Sequence, residues 1–261
     1  MNNNSIEIPA FVICLEREVD RRQRIKDHLN SLKVAFSFFN SVDGRTLSAE
    51  EKRKYYSESL SVKTRGRILA AGEIGCYLSH SKIWQHIIET GINKALIIES
   101  DAVFTDESIQ TINKIDKDLF EWELIMLYYR ECYPAFKGRY NITPQTKLVK
   151  FSNKTSCATA YLVTSDGAKR LLDKAYPIQM PVDDYMTGGY IDKNLRTFAA
   201  YPRTVHLTDD ALETSTIRAD LFPMMDSLGI KRRTSNKKYI FKELEKELRR
   251  FLKKLNPPSW L

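Results

Sequence analysis

The sequence predicts an α/β protein built on a mainly parallel, doubly wound sheet that is flanked by helices. Short apolar runs alternate with segments of helical spacing as far as residue 201, which is the order expected for strands joined by crossover helices. Residues 95–98 are continuously apolar, as in a strand buried on both faces. A chain of 261 residues with 43% hydrophobic content is also long enough to bury a sizeable core.

Each element is predicted from its local pattern. Helix starts are expected near Asp20, a possible cap, and near Ser48, which forms a capping box with Glu51. Residues 130–146 contain two prolines and a glycine, so we expect a long loop there, and long loops are often functional. The other helices are expected at residues 72–90, 107–119 and 165–175. The strands are expected at residues 11–15, 36–39, 95–98, 123–129, 147–151, 159–163 and 195–201.

An acidic pair closes the apolar run at residues 95–98. Glu99 and Asp101 are two positions apart, so on an extended chain their carboxylates point to the same side. The carboxyl end of a buried parallel strand is where open α/β sheets place their ligands, and paired oxygens suit Mg²⁺ or Mn²⁺. The alternative is a strand that ends in acidic residues because the chain has reached water.

The segment before this strand, residues 72–90, reads as a mostly buried helix. Ile74, Tyr77, Leu78, Trp84 and Ile88 form one apolar stripe, and His80 lies among apolar neighbours. A histidine in such a position is more often a structural residue than a catalyst, and we expect that role for His80. Arg21, Arg22 and Arg24, in the first predicted helix, read as residues of a solvated face.

The net charge of +8 is concentrated at the carboxyl terminus. Residues 231–261 contain eleven basic and three acidic residues, whereas residues 1–230 contain 30 of each. The balanced body gives no case for nucleic-acid binding. The tail has helical apolar spacing between its charges, which indicates a basic amphipathic helix on an anionic membrane surface; a helix packed on the body or on another subunit is the alternative. We therefore divide the chain into a domain at 1–230 and a C-terminal helix at 231–261.

Location is predicted from what the sequence does not contain. No run approaches the roughly 18 apolar residues of a membrane span. The first residues also have no basic segment of the kind that opens a signal peptide. The four cysteines form no C-x-x-C pair, which favours free thiols over disulfides or a zinc site. We expect a cytoplasmic protein that is peripheral on the inner face of the bacterial cytoplasmic membrane.

The motif G-E-I-G-C-x-L-S-H-x-x-I-W at residues 72–84, followed by the apolar strand and E-x-D, resembles glycosyltransferase family 25. That family includes bacterial lipooligosaccharide galactosyl- and glucosyltransferases and collagen galactosyltransferases. The family usually has E-D-D at the strand end, whereas this chain has Ser100 in the middle. The P-V-D segment that ends at Asp183 and the later pair Tyr201-Pro202 are also similar to the family. The resemblance implies a GT-A-type fold over residues 8–201.

The resemblance also implies an activity. It implies an inverting transfer of a hexose, galactose first and glucose second, from a UDP-sugar to an oligosaccharide or glycolipid acceptor in lipopolysaccharide biosynthesis. A divalent metal, Mn²⁺ or Mg²⁺, is then expected on Asp101 and Glu99, with His206 as a third ligand. Asp183 is expected to be the general base, and its neighbour Asp184 is the second candidate. Arg17 would bind phosphate at the end of the first strand, and Asp43 would meet the base or ribose.

Two other classes of function remain open. A sugar-nucleotide pyrophosphorylase also combines a nucleotide site with a metal carboxylate. It should carry a glycine-rich loop after its first strand, and Leu15-Glu16-Arg17 has no glycine. A non-catalytic adaptor that uses its tail to bind membrane or nucleic acid is the third possibility.

Overall fold

The computed structural model describes residues 6–117, 120–130, 134–151, 155–188 and 195–230. The chain divides into two compact units, Met1–Leu221 and Phe222–Leu261. The first unit holds the sheet and all of the candidate site, and we call it the body. The described part of the second unit is residues 222–230, which begin inside the last described helix. The predicted tail helix at 231–261 lies outside the described residues.

Eight of the described strands form one mixed sheet in the order β2-β1-β3-β8-β5-β9-β7-β6, and β10 pairs with β4 separately. Six strands of the large sheet point the same way, and β8 and β7 run antiparallel to them. The mainly parallel α/β sheet is thus confirmed. The strands are β1 (Ala10–Cys14), β2 (Ser37–Asn40), β3 (Lys94–Glu99), β4 (Ala102–Val103), β5 (Leu124–Met126), β6 (Pro134–Asn141), β7 (Lys147–Phe151), β8 (Ala160–Thr164), β9 (Thr197–Tyr201) and β10 (His206–Leu207).

Helices cover both faces of the sheet. One apolar layer packs α4, α6 and α7 against one face, and a second packs α1 and α5 against the other. None of the described helices is long and apolar enough to cross a bilayer. The helices are α1 (Val19–Ser31), α2 (Ala49–Tyr55), α3 (Glu58–Arg65), α4 (Ala71–Glu89), α5 (Asp106–Lys117), α6 (Ser165–Asp173), α7 (Val182–Thr187) and α8 (Thr216–Ser227).

The central strand β3 shows why the two faces are both apolar. Leu96 and Ile98 belong to the layer of α1 and α5, while Ala95 and Ile97 belong to the layer of α4. All four side chains are fully buried. A strand in this position needs apolar residues on both sides, which accounts for its continuous apolar run.

Two local predictions are wrong. Residues 130–146 are not one long loop, because β6 occupies residues 134–141 and pairs with β7. Its proline opens the strand, and Gly138 has φ 75°, which an edge strand with an irregular register tolerates. Asp20 does not cap α1, because the cap position is Glu18 and Asp20 lies in the first turn. The capping box of Ser48 and Glu51 is confirmed.

Candidate active site

A cleft with an empty volume of about 790 Å³, open to solvent, lies at the carboxyl ends of β1, β2 and β3. This is the position at which open α/β sheets bind ligands. Its walls come from four parts of the chain: the end of β1 with the start of α1, the loop after β2, the first turns of α4, and residues 215–217. Glu99, Ser100 and Asp101 lie at its base, so the acidic pair predicted from the sequence does face a cavity.

Asp101 carries a buried carboxylate oxygen that has no hydrogen-bond partner among the described residues, Oδ1. Burial, and next the negative charge of Glu99, raise the pKa of Asp101 to about 7, while Arg21 acts in the opposite direction. An unsatisfied buried carboxylate is costly in the absence of a cation. The carboxylate oxygens of Asp101 and Glu99 therefore suit a hard divalent cation as its ligands.

Glu99 is held from behind by a chain of buried hydrogen bonds. Its Oε1 lies 3.3 Å from Nε2 of His80, and Nδ1 of His80 lies 2.9 Å from the hydroxyl of Tyr161. That hydroxyl also accepts a hydrogen bond of 3.0 Å from Nε1 of Trp84. His80, Trp84 and Tyr161 are fully buried. His80 is therefore a buried residue that supports Glu99, which agrees with the structural role expected for it.

The thiol of Cys76 completes a group of metal-ligand types beside Glu99. Sγ of Cys76, a ring nitrogen of His80 and a carboxylate oxygen of Glu99 lie within 4.8 Å of one another. Burial, and then the charge of Glu99, raise the pKa of the Cys76 thiol well above its usual range. Cys14, Cys76 and Cys157 are free thiols, as predicted. The sequence did not indicate Cys76 as a ligand, because its neighbour Glu99 comes from a different element.

The loop after β2 is fixed against α4 by contact between two backbones. A Cβ placed on Gly75 would lie 2.5 Å from the amide nitrogen of Gly44, and one placed on Gly44 would lie 1.8 Å from the carbonyl oxygen of Ala71. Ser79 adds a side-chain bond by accepting from the amide of Val42 at 2.8 Å. The second glycine of the G-E-I-G motif thus allows this loop to form one wall of the cleft.

Asp43 lies in that loop and lines the cleft; its contact with the base or ribose stays a prediction. Its carboxylate forms an ion pair with Arg17 and accepts from the amide of Arg45 at 3.1 Å. Arg17 therefore contacts Asp43 directly. Arg21 lines the cleft and lies close enough to Asp101 to lower its pKa. The sequence pattern places Arg21 on a solvated helix face and does not indicate its position at the cleft, because its contacts come from residues far along the chain.

Asp183 lies in the first turn of α7, where its carboxylate accepts two backbone hydrogen bonds. Oδ2 accepts from the amide of Cys157 at 2.7 Å, and Oδ1 accepts from the amide of Asp184 at 2.8 Å. Cys157 has φ 73°, a left-handed conformation that non-glycine residues rarely adopt. Burial, then the charge of Asp184, raise the pKa of Asp183 to about 6, and Glu99 adds a smaller effect of the same sign.

The two adjacent acids of α7 have different partners. Asp184 is buried and forms an ion pair of 2.6 Å with Nη1 of Arg65, at the end of α3. That contact ties α7 to α3, which is a structural role. Asp183, by contrast, lies close enough to Glu99 for their charges to interact. Of the two candidates for a general base, the geometry favours Asp183.

His206, the predicted third metal ligand, lies in β10. This strand pairs with β4, and the register sets His206 opposite Val103. Its side chain is exposed. Among the described residues, the group that has metal-ligand geometry contains Cys76, His80 and Glu99 and does not include His206.

Residues 208–221, which we call the closing segment, bridge the parts of the body that surround the cleft. The amide of Thr208 donates to the carbonyl oxygen of Asp101 at 3.0 Å. Asp220 binds both Nε and Nη2 of Arg45, at 3.1 and 2.9 Å, and accepts from the amide of Gly72 at 3.1 Å. Arg24 pairs with Asp210, and Arg21 donates to Thr214. No local sequence pattern marks this wall.

Comparisons with known proteins agree with the resemblance seen in the motifs. The chain is 27% identical over 225 residues to procollagen galactosyltransferase 1 of Danio rerio, across 76% of this chain and 36% of that protein. It is 28% identical over 190 residues to a Bos taurus protein named probable inactive glycosyltransferase 25 family member 3, across 68% of this chain and 31% of that one. The chain thus spans about a third of the length of these relatives.

A solved glycosyltransferase structure, from a protein involved in glycosylation of the major capsid of PBCV-1, aligns with a TM-score of 0.39 and 13% identity. The alignment covers 74% of this chain and 80% of that one. The model of glycosyltransferase family 25, described as an LPS biosynthesis protein, matches residues 7–186. That match takes in β1, the whole of α4, the acidic pair and Asp183, and it shows that this chain belongs to glycosyltransferase family 25.

Proposed function

We propose that this chain transfers a hexose from a UDP-sugar to the growing saccharide of a bacterial lipopolysaccharide or lipooligosaccharide. The observation that carries the proposal is the buried Oδ1 of Asp101 beside Glu99, which has no hydrogen-bond partner in the described part of the chain and lies in a cleft where α/β sheets bind nucleotides. Relatives named as galactosyltransferases favour galactose as the donor sugar, with glucose second.

Asp101 and Glu99 would hold a divalent cation, Mn²⁺ or Mg²⁺, together with the donor diphosphate. When bound, such a cation neutralises the charge that develops on the leaving diphosphate. Arg21 lines the same cleft and would supply a fixed positive charge to the phosphates. Asp43, held by Arg17, lies on the wall formed by the loop after β2 and would contact the nucleoside.

Asp183 would take the proton from the acceptor hydroxyl. Two backbone amides fix its carboxylate, and a pKa of about 6 leaves it mostly ionised at neutral pH yet more basic than an ordinary aspartate. A base whose pKa lies near the working pH transfers protons efficiently. With one such base, the transfer would invert the configuration at the anomeric carbon. His206 stays a candidate third ligand from the sequence.

The experiment is a panel of UDP-sugars in which release of UDP by hydrolysis is measured with Mn²⁺ and with EDTA. It requires no knowledge of the acceptor. We expect UDP-galactose to be hydrolysed fastest, UDP-glucose next, and all hydrolysis to stop in EDTA. Asp101→Asn should abolish the reaction and weaken UDP binding in Mn²⁺, while Asp27→Asn, on the exposed face of α1, serves as a matched control.

Two outcomes would contradict the proposal. Full hydrolysis in EDTA would remove the metal from the mechanism. Binding of UDP without turnover of any UDP-sugar, with or without saccharide acceptors, would instead indicate a non-catalytic member, as the name of the Bos taurus relative suggests for that protein.

A further inference from the structure

Three side chains of different chemistry meet at one wall of the cleft: the thiol of Cys76, the imidazole of His80 and the carboxylate of Glu99. Their ligand atoms all lie within 4.8 Å of one another. Nε2 of His80 is 3.3 Å from Oε1 of Glu99, and Sγ of Cys76 is 3.8 Å from the same oxygen. Of these three side chains, the function proposed above uses only Glu99 as a metal ligand, together with Asp101.

The secondary structure fixes this arrangement. Cys76 and His80 are four residues apart on α4, so they lie one above the other on the same face of the helix. That face packs over the end of β3, where Glu99 closes the strand. Cys76 and Glu99 line the cleft, so a small ion in solution can reach the group, while His80 approaches it from the buried side.

Two of the three separations between the ligand atoms are close to those of a tetrahedral metal site. With bonds of about 2.0 Å to nitrogen and oxygen and about 2.3 Å to sulfur, tetrahedral ligands lie about 3.3 Å (N to O) and about 3.5 Å (S to O) apart. The observed separations of 3.3 and 3.8 Å are close to these values. The third separation, between Sγ of Cys76 and the ring nitrogen of His80, is within 4.8 Å, so binding an ion would require side-chain rotations that bring these two atoms to a similar spacing.

The hydrogen bonds on the buried side of His80 also resemble those around metal-binding histidines. Its second ring nitrogen, Nδ1, is 2.9 Å from the hydroxyl of Tyr161, which Trp84 holds in turn. Outer partners of this type fix the ring orientation of ligating histidines. With Nδ1 engaged by Tyr161, Nε2 is the nitrogen turned toward Cys76 and Glu99.

We propose that Cys76, His80 and Glu99 form a binding site for a soft or borderline divalent cation of the Zn²⁺ class, with its fourth position open to the cleft. Thiolate and imidazole ligands select Zn²⁺ over Mg²⁺ and Mn²⁺, which prefer oxygen. Binding forms metal–sulfur, metal–nitrogen and metal–oxygen bonds and releases the thiol proton of Cys76 to solvent. His80 then carries its ring proton on Nδ1, from which the hydroxyl oxygen of Tyr161 accepts a hydrogen bond. Glu99 is shared with the hard-cation site, so Zn²⁺ would compete with Mn²⁺; this last consequence alone rests on the proposed function.

The test uses Co²⁺ as a spectroscopic substitute for Zn²⁺, in full-length protein that carries no polyhistidine tag and has been treated with a chelator. We expect a thiolate-to-cobalt absorption band, which Zn²⁺ displaces and Mg²⁺ does not. Cys76→Ser should remove the band and weaken Co²⁺ binding by at least about 10²-fold, more than the loss of an outer partner usually causes. Cys14→Ser is the matched control, because Cys14 is a free thiol that lines the same cleft outside the group.

A second measurement needs no variant. In the unmodified protein, Zn²⁺ should slow alkylation of Cys76 and leave that of Cys157 unchanged, as mapped by mass spectrometry of peptides. The proposal is overturned if Co²⁺ gives no thiolate band, if the band survives Cys76→Ser, or if Zn²⁺ leaves alkylation of Cys76 unchanged. Neither readout depends on turnover, so a failure of the proposed transferase activity would leave this result intact.

Discussion

At the scale of single residues, the site depends on two carboxylates whose surroundings disfavour their charge. Asp101 and Asp183 both have raised pKa values, and burial is the main cause for each. Among the described residues, one oxygen of Asp101 has no hydrogen-bond partner, whereas the carboxylate of Asp183 accepts hydrogen bonds from two backbone amides. The first arrangement suits a metal ligand, and the second suits a base held in one orientation.

Asp183→Asn tests the second role. We expect the KM for the UDP-sugar to stay near that of the unmodified protein while kcat falls by about 10² or more, the usual contribution of a general base. The comparison variant is Asp184→Asn, which should lower stability through the lost pair with Arg65. If Asp184→Asn is inactive although folded, and Asp183→Asn is active, the base has been assigned to the wrong neighbour.

The pKa of Asp183 also predicts the pH dependence. Since the base acts in its ionised form, transfer should rise as pH increases through about 6 and then level off. The free energy of unfolding should change in the opposite direction as pH increases. The folded protein holds this proton more tightly than the unfolded chain does. The stabilising contribution of Asp183 is therefore present below about pH 4 and is lost as pH rises through about 6. Unfolding midpoints of the unmodified protein and Asp183→Asn should therefore diverge between these limits, and parallel curves would contradict the pKa shift.

At the scale of elements, α4 connects the core to the cleft. Its buried face carries Trp84 and His80, which hold Tyr161 of β8, and its first turns carry Gly75 and Cys76 at the cleft wall. The helix, the acidic pair and most strands were predictable, because each has a local pattern within one stretch of sequence. The support of Glu99 by Tyr161 was not, because it depends on β8 lying beside β3.

Tyr161→Phe tests this support. Nδ1 of His80 and Nε1 of Trp84 would each lose their partner in a fully buried position, which usually costs about 1–3 kcal/mol per group. We expect a lower free energy of unfolding in urea. We also expect weaker binding of Mn²⁺, since Glu99 would be less firmly held. Tyr140→Phe, at an exposed tyrosine of β6, is the control. An unchanged unfolding curve for Tyr161→Phe would show that the chain of hydrogen bonds contributes little.

The closing segment could not be predicted from the sequence either. Its contacts are polar pairs between residues up to 193 positions apart, and no local pattern marks them. Arg21 looked like an ordinary surface cation for the same reason. Residues 215–217 nevertheless line the cleft, although they lie beyond the matched family region of residues 7–186.

Asp220→Ala tests whether the closing segment contributes to donor binding. Loss of the contacts to Arg45 and Gly72 should raise the KM for the UDP-sugar up to about fivefold, because partly exposed ion pairs usually contribute at most about 1 kcal/mol. The kcat should change little, and salt should reduce the difference from the unmodified protein. Asp166→Ala removes an exposed pair on α6 and is the control. Equal KM values for both variants would exclude this contribution.

At the scale of the whole molecule, charge separates the chain into a balanced part and a basic part. Residues 1–230 carry no net charge, and residues 231–261 carry +8. The proposed peripheral location on the inner face of the cytoplasmic membrane depends on that tail, which lies outside the described residues. Its role as a membrane-surface helix stays a prediction from the sequence.

Truncation after Gly229 tests the location. Each basic residue near an anionic surface contributes roughly 1 kcal/mol, an effect that salt screens. Full-length protein should therefore sediment with anionic vesicles and not with neutral ones, while the truncated protein should stay in the supernatant and keep its activity on a soluble acceptor. If the full-length protein ignores anionic vesicles, or if truncation unfolds the body, the tail packs on the body or on another subunit.

The surroundings of the cleft, which include the antiparallel strand β8 beside β3, come from distant parts of the chain, and this has a consequence for synthesis. Because β8 runs against β3, the residues that precede it meet the end of β3: the amide of Glu99 donates to the carbonyl oxygen of Thr159 at 2.7 Å. The cleft also combines β1, the first described strand, with Ser215, Thr216 and Ile217 near the end of the body. A nascent chain that stops before residue 215 carries the acidic pair but lacks one wall of the cleft.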